Sequence, residues 1–229
     1  MRREWNRPLI APLTWVRIFP VLGKGVRAGS VLQKECRIVG SLLGSSLYQA
    51  ILTPRYNEIY VNVGSDADTL RAERTAVEEW HENAYAVLSP RHLAASEPGM
   101  LRRALYVAAR RALLELAEID HLDAVSMKSR LDAVDVDGLN TEFVYKRIEK
   151  DGRFAEIFYT LADRRDSGAI LRPNFHLRTG RSEAKACATR LLGPIDVEMA
   201  GGAISKFELR RNEARVSVEG KIVTAPFPI

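Results

Sequence analysis

The spacing of apolar residues changes near Asn140, and this change constrains the fold more than any other feature of the chain. Upstream, "SEPGMLRRALYVAARRALLELAEIDHL" carries Leu101, Leu105, Ala108, Ala112, Leu116 and Ile119 at helical intervals, with Arg102, Arg103, Arg110 and Arg111 on another face. Ser96 is placed to cap this helix, and Pro98 falls in a first turn, where its missing N–H costs nothing. Downstream the period is two. "TEFVYKRIEKDGRFAEIFYTLAD" predicts strand, turn at Asp151-Gly152, strand. "GAILRPNFHLRTG", "GPIDVEMAGG", "AISKFELRRN" and "ARVSVEGKIVTA" continue as short strands punctuated by Gly, Pro and Asn. Helices followed by strands predict an α+β fold, with central helices packed on a mainly antiparallel sheet and a C-terminal β-meander, in a single domain over 1–229.

Ahead of the long helix the elements alternate. Leu13–Leu22 reads as a strand, Leu32–Leu52 as a helix stopped by Pro54, and Asn57–Gly64 as a strand with Ile59, Val61 and Val63 on one face. Gly40 and Gly44 each cost that first helix about 1 kcal/mol against alanine, and the "GSLLG" they frame reads as a chance spacing. The segment from Ser65 to Leu88 predicts a helix. Asp68 opens it, Leu70, Val77, Trp80, Ala84 and Val87 form its stripe, and Glu78, Glu79 and Glu82 lie off the stripe.

The charge is polarised. Residues 1–57 carry nine basic and two acidic side chains, whereas residues 58–123 carry seven and twelve. Such asymmetry favours charged partners. A dedicated nucleic-acid binder is usually basic over a whole face with interleaved aromatics, and aromatic residues make up only 7% here. The balance of 46% hydrophobic and 28% charged residues is that of a globular chain able to bury a core without metal or disulfide. Cys36 and Cys187 lie far apart and read as buried thiols of a reducing compartment, with a lone disulfide as the alternative. The apolar stretch Leu9–Val16 is too short for a signal peptide and holds Pro12, and the uncharged run Ile38–Pro54 is too polar to span a bilayer. The expectation is a soluble, cytoplasmic protein that engages no membrane.

Motifs for chemistry are sparse. "VLGKGVRAGS" at Val21–Ser30 lacks the lysine that a Walker loop needs beside its second glycine. Its "GKGVRA" fits the looser dinucleotide pattern, but no βαβ alternation is evident after it and no acidic residue lies between Glu35 and Glu58, so it reads as a turn. His81 has Tyr85, not a second histidine, four residues on, and reads as a solvated side chain on an acidic face. Glu118, Asp120, His121 and Asp123 form a helix end that needs no metal. Neither cysteine has a histidine nearby, and no serine sits in a nucleophile motif. No catalytic residue, cofactor or metal is expected.

In its layout, an acidic helical middle between basic segments with a run of strands behind, the chain resembles the immunity proteins of bacterial toxin systems, including contact-dependent inhibition. That resemblance implies a small cytosolic protein that binds a cognate toxin domain and occludes its active site; it carries over no functional residue. The acidic residues Glu78, Glu79, Glu82, Glu118, Asp120 and Asp123 are the candidate surface for a basic toxin face. The alternative is a nucleic-acid- or nucleotide-handling enzyme or accessory factor. Lys24, Arg27, Lys34, Arg102, Arg103, Arg110 and Arg111 would then meet phosphates, with His81 or His176 as a base.

Overall fold

The computed structural model describes residues 10–22, 28–54, 56–72, 80–94, 97–136, 141–162, 172–181, 187–192, 200 and 202–227. They fall into two compact units, Met1–Gly138 with Ser167–Ile170, and Leu139–Asp166 with Leu171–Ile229. The class is α+β, as the switch in period predicts.

The first unit is built on three parallel strands. β1 (Ile10–Pro12) pairs antiparallel with β3 (Leu52–Pro54), and between them run β2 (Trp15–Pro20) and α1 (Ser30–Leu47). Then come β4 (Glu58–Gly64), α2 (Ala67–Ala72), β5 (His81–Val87), α3 (Pro90–Leu93), α4 (Pro98–Ile119) and α5 (Ala124–Asp132). β4 lies between β2 and β5, parallel to both, with Val16 beside Ile59, Ile18 beside Val61, and Val61 in turn beside Ala84. Alternation of side chains about each strand places Val16, Ile18, Ile59, Val61, Val63, Ala84 and Ala86 on one face, all of them buried. α1 packs on that face against β2, and α4 against β5.

Two expectations fail here. Of the helix expected over 65–88, the described residues form the short α2, while His81–Val87 is a strand and 73–79 lie outside the described residues. Trp80, Ala84 and Val87 keep helical spacing, but Ala84 and Ala86 also alternate, and their small side chains fit between β5 and α4. Secondly, β2–α1–β4–α2–β5 is a βαβαβ succession, where the reading of the glycine-rich stretch as a turn relied on there being none. "GSLLG" is also more than a chance spacing. A Cβ at Gly40 would stand 3.4 Å from the Ile18 nitrogen, and one at Gly44 3.3 Å from the Val16 nitrogen, so the glycines bring the α1 backbone down onto β2.

Polar bonds tie the helices together. Glu35 on α1, with none of its surface exposed, accepts hydrogen bonds from Arg102 of α4 at 2.6 and 3.3 Å. The Ser46 hydroxyl donates to the Arg130 carbonyl at 2.9 Å, and the Tyr106 hydroxyl donates to the Leu131 carbonyl, which fastens α1 and α4 to α5.

The second unit is antiparallel throughout. β6 (Glu142–Lys150), β7 (Arg153–Ala162), β8 (Arg172–Arg181) and β9 (Cys187–Leu192) form one sheet in chain order. β10 (Ile204–Leu209), β11 (Glu213–Val218) and β12 (Lys221–Pro226) form the other, the C-terminal meander expected from the sequence. Asp151 and Gly152 both have positive φ, 51° and 67°, the signature of the primed two-residue turn. Glu219-Gly220 repeats it between β11 and β12 at 48° and 80°. Ala155, Ile157, Tyr159, Phe175 and Leu177 form the buried face of the first sheet. The expected strand "GPIDVEMAGG" falls mostly outside the described residues.

Candidate functional site

Of the acidic set, Glu82, Glu118, Asp120 and Asp123 lie among the described residues. Glu78 and Glu79 lie outside the described residues. Glu82 sits on β5 rather than on a helix, where its carboxylate accepts the Asn83 N–H at 2.8 Å. Asp120 accepts the Tyr56 hydroxyl at 2.7 Å, and burial followed by this bond pushes the Tyr56 phenol far above its usual value. Asp123 caps α5, accepting the Ser126 N–H at 2.9 Å, and this bond holds its carboxyl below the usual range. These three carboxylates serve the fold.

Glu118 is different. It is exposed near the end of α4 and makes no ion pair among the described residues. It borders a groove of about 570 Å³ between α4 and α5, lined also by Leu114, Ala124, Val125, Lys128 and Asp132. Val125 is 81% exposed at the lip, with Ile119 nearly as exposed on α4. At one end the groove is fixed, because Lys128 and Arg110 both bind the Asp132 carboxylate. The result is a mixed trough in which Leu114, Ala124 and Val125 stand beside Glu118, Lys128, Ser129 and Asp132. The charge pattern pointed to Glu118; the apolar lip was missed, although Val125 is the sole large aliphatic residue among the first turn of α5 and could be read from "DAVSM".

A second location is the carboxyl edge of the parallel sheet. The glycine-rich stretch joins the end of β2 to α1, whose N-cap, Gly29, offers no side chain, and no acidic residue occupies the first turn. Lys24 and Arg27 lie outside the described residues. Gly64 ends β4 against this connection: a Cβ there would come within 2.7 Å of the Val21 carbonyl oxygen and 2.9 Å of Leu70. Asp66 follows, capping α2 through the Thr69 N–H at 2.7 Å. The arginine row is largely committed elsewhere. Arg102 is spent on Glu35, Arg110 on Asp132 and Arg111 on Glu115 at 2.8 Å.

The third location is the face of the parallel sheet turned away from α1 and α4. Register places Trp15, Arg17 and Phe19 of β2, Glu58, Tyr60 and Asn62 of β4, and His81, Asn83, Tyr85 and Val87 of β5 on it. Phe19 and Tyr60 rings lie 5.0 Å apart, and the His81 ring stacks on Tyr60 at 4.4 Å with Trp80 edge-on at 4.7 Å. Arg17 pairs with Glu58 at 3.3 Å, and Asn62 donates to Asn83 at 2.8 Å. Phe19 is 40% exposed and Trp80 43%. His81 is therefore no solvated helix residue. It is 4% exposed, and neither ring nitrogen has a hydrogen-bond partner among the described residues. The sequence reading followed the aliphatic side of β4 and overlooked the aromatic one.

His176, the other candidate base, stacks on Phe158 at 5.2 Å on the second unit's β8. Burial first, then the Arg190 charge, holds its pKa below the usual value. On the same sheet Arg147 and Arg178 both bind the buried Glu156, so this is a network satisfied within itself. Among the described residues no three His, Cys, Asp or Glu side chains gather as a metal site, and no helix is long and apolar enough to cross a membrane. Comparison with protein-family models, curated proteins and solved structures finds no match to the chain.

Proposed function

We propose that the chain is a non-enzymatic binding protein of the immunity type, acting in the cytoplasm to neutralise a cognate toxin domain by covering its active site. The observation that carries this reading is the α4–α5 groove. Val125 offers apolar area at its lip, and Glu118 offers a carboxylate without an ion pair among the described residues. Apolar contact surrounded by charge is the composition through which protein partners are recognised. A basic side chain on the toxin would find Glu118 free to receive it, because Lys128 and Arg110 are already held by Asp132.

The test is protection in cells. The chain is co-expressed with a toxin domain encoded beside it, and growth is compared with that of Val125→Asp and Glu118→Lys variants. The reading expects both variants to lose protection while their melting temperatures stay within a few degrees of wild type. Full protection by both would reject the groove.

One observation favours a second reading, a phosphate-bearing ligand at the carboxyl edge of the parallel sheet. There a glycine-rich connection with Lys24 and Arg27 leads into an α1 whose first turn has neither a capping side chain nor an acid. Titration with ATP and with a generic oligonucleotide at low and moderate salt tests it. Binding that weakens with salt and disappears in Lys24→Ala with Arg27→Ala supports this ligand; no binding removes it.

A further inference from the structure

The groove between α4 and α5 holds a charge that the fold leaves unanswered. α4 is 22 residues long, and the carbonyl groups at its C-terminal end gather partial negative charge. A lysine or arginine in the last turn offsets that charge in many helices, yet the last turn of α4 has no basic residue. It carries Glu118 instead, exposed and without an ion pair among the described residues. The charges around it are matched. Lys128 and Arg110 bind Asp132, Arg111 binds Glu115, and Asp120 accepts the Tyr56 hydroxyl. A carboxylate and a helix C-terminus thus share the want of one cation. Beside Glu118 lies the apolar part of the trough. Leu114 is one turn before it on the same row of α4, and Ala124 and Val125 line the groove from α5. Leu114 and Ala124 are partly buried against the core, whereas Val125 is 81% exposed.

We propose that the groove takes one arginine side chain of the protein partner, with its guanidinium on the Glu118 carboxylate and its methylene stem along Leu114, Ala124 and Val125. This deepens the binding-protein reading and rests on it. Charge complementarity selects a cation, because Glu118 and the end of α4 are both negative. The apolar lip selects a cation on an aliphatic stem, whose methylenes cover apolar surface while the charged head stays at the rim. Between the two such side chains, the guanidinium fits a carboxylate with two parallel hydrogen bonds and is more weakly hydrated than an ammonium. Arginine is also among the few side chains that dominate the energetics of protein interfaces.

The experiment is an NMR titration of the isotope-labelled full chain with n-propylguanidinium, the arginine side chain without its backbone. The comparison probes are n-butylammonium, the counterpart for lysine, and guanidinium, which has no stem. The expected result is a saturable shift of the Leu114, Glu118 and Val125 amides, weaker for both comparison probes and about tenfold or more weaker in Glu118→Gln. Val125→Ala, which shortens the lip, is the second variant and weakens n-propylguanidinium but not guanidinium. Melting curves establish that each variant is folded. No saturable shift in wild type overturns the proposal, as does binding unchanged in Glu118→Gln or equal binding by either comparison probe. The protection assay separates this failure from that of the groove. Full protection by Glu118→Gln with loss in Val125→Asp overturns the arginine and leaves the groove standing, whereas full protection by both Val125→Asp and Glu118→Lys rejects the groove itself.

Discussion

At the scale of the residue, the most consequential pair is Glu35 with Arg102. A fully buried carboxylate is tolerated because one guanidinium gives it two hydrogen bonds. Glu35→Ala leaves a mostly buried arginine without its counter-charge, and the expected loss in urea unfolding is about 3–5 kcal/mol, the range for breaking a buried pair. Glu35→Leu with Arg102→Leu recovers much of it, since both charges go together. Its neighbour Cys36 shows the same burial by other means. Burial, with the Glu35 charge behind it, pushes the Cys36 thiol up to about 12. The folded state therefore favours the neutral thiol. Stability from this group is intact below the unfolded thiol's pKa and is lost as pH rises from about 9 toward 12. Peptide mapping after iodoacetamide at pH 8 is expected to find Cys36 unmodified in the native protein and alkylated in urea. The capping aspartates run the opposite way. Asp66 and Asp123 titrate below their ordinary values, so their caps hold above the unfolded pKa and are lost as pH falls through the folded one.

At the scale of the element, legibility followed the strength of local signals. α4 was legible because its apolar stripe runs for about five turns, and Leu105→Ala is expected to cost about 2–5 kcal/mol by calorimetry, since Leu105 is wholly buried. The β6–β7 hairpin was legible because Asp-Gly supplies two positive-φ residues at little steric cost; Gly152→Ala is expected to destabilise by about 1 kcal/mol. β5 was not legible. Seven residues of His-Glu-Asn-Ala-Tyr-Ala-Val satisfy helical and strand spacing alike, and pairing with β4, twenty-three residues away in sequence, decides between them. Missing β5 concealed the parallel sheet, and with it the aromatic face. Asp120 and Asp123 were legible as charge but not as acceptors within the fold. Asp120 and Asp123 lie at the junction of α4 and α5, where a free tyrosine hydroxyl and free N–H groups claim carboxylates before a partner can. Gly64 belongs at this scale too. Gly64→Ala would drive a methyl into the Val21 carbonyl, and the expected outcome is a lowered melting temperature with the β2–α1 connection displaced.

At the scale of the whole molecule, the described residues present two regions of different chemistry: a groove lined by Leu114, Val125, Glu118, Lys128 and Asp132, and the carboxyl edge of the parallel sheet. They predict different occupants, so locating an occupant decides between them. The most direct measurement is amide hydrogen exchange on the chain alone and saturated with the toxin domain that the proposed function requires. The binding-protein account predicts slowed exchange along the α4–α5 groove, from Leu114 through Asp132, with exchange across Ser30–Gln33 and Gly64–Thr69 unchanged. Unaltered exchange in the groove, or protection confined to the sheet edge and elicited by ATP, would contradict it.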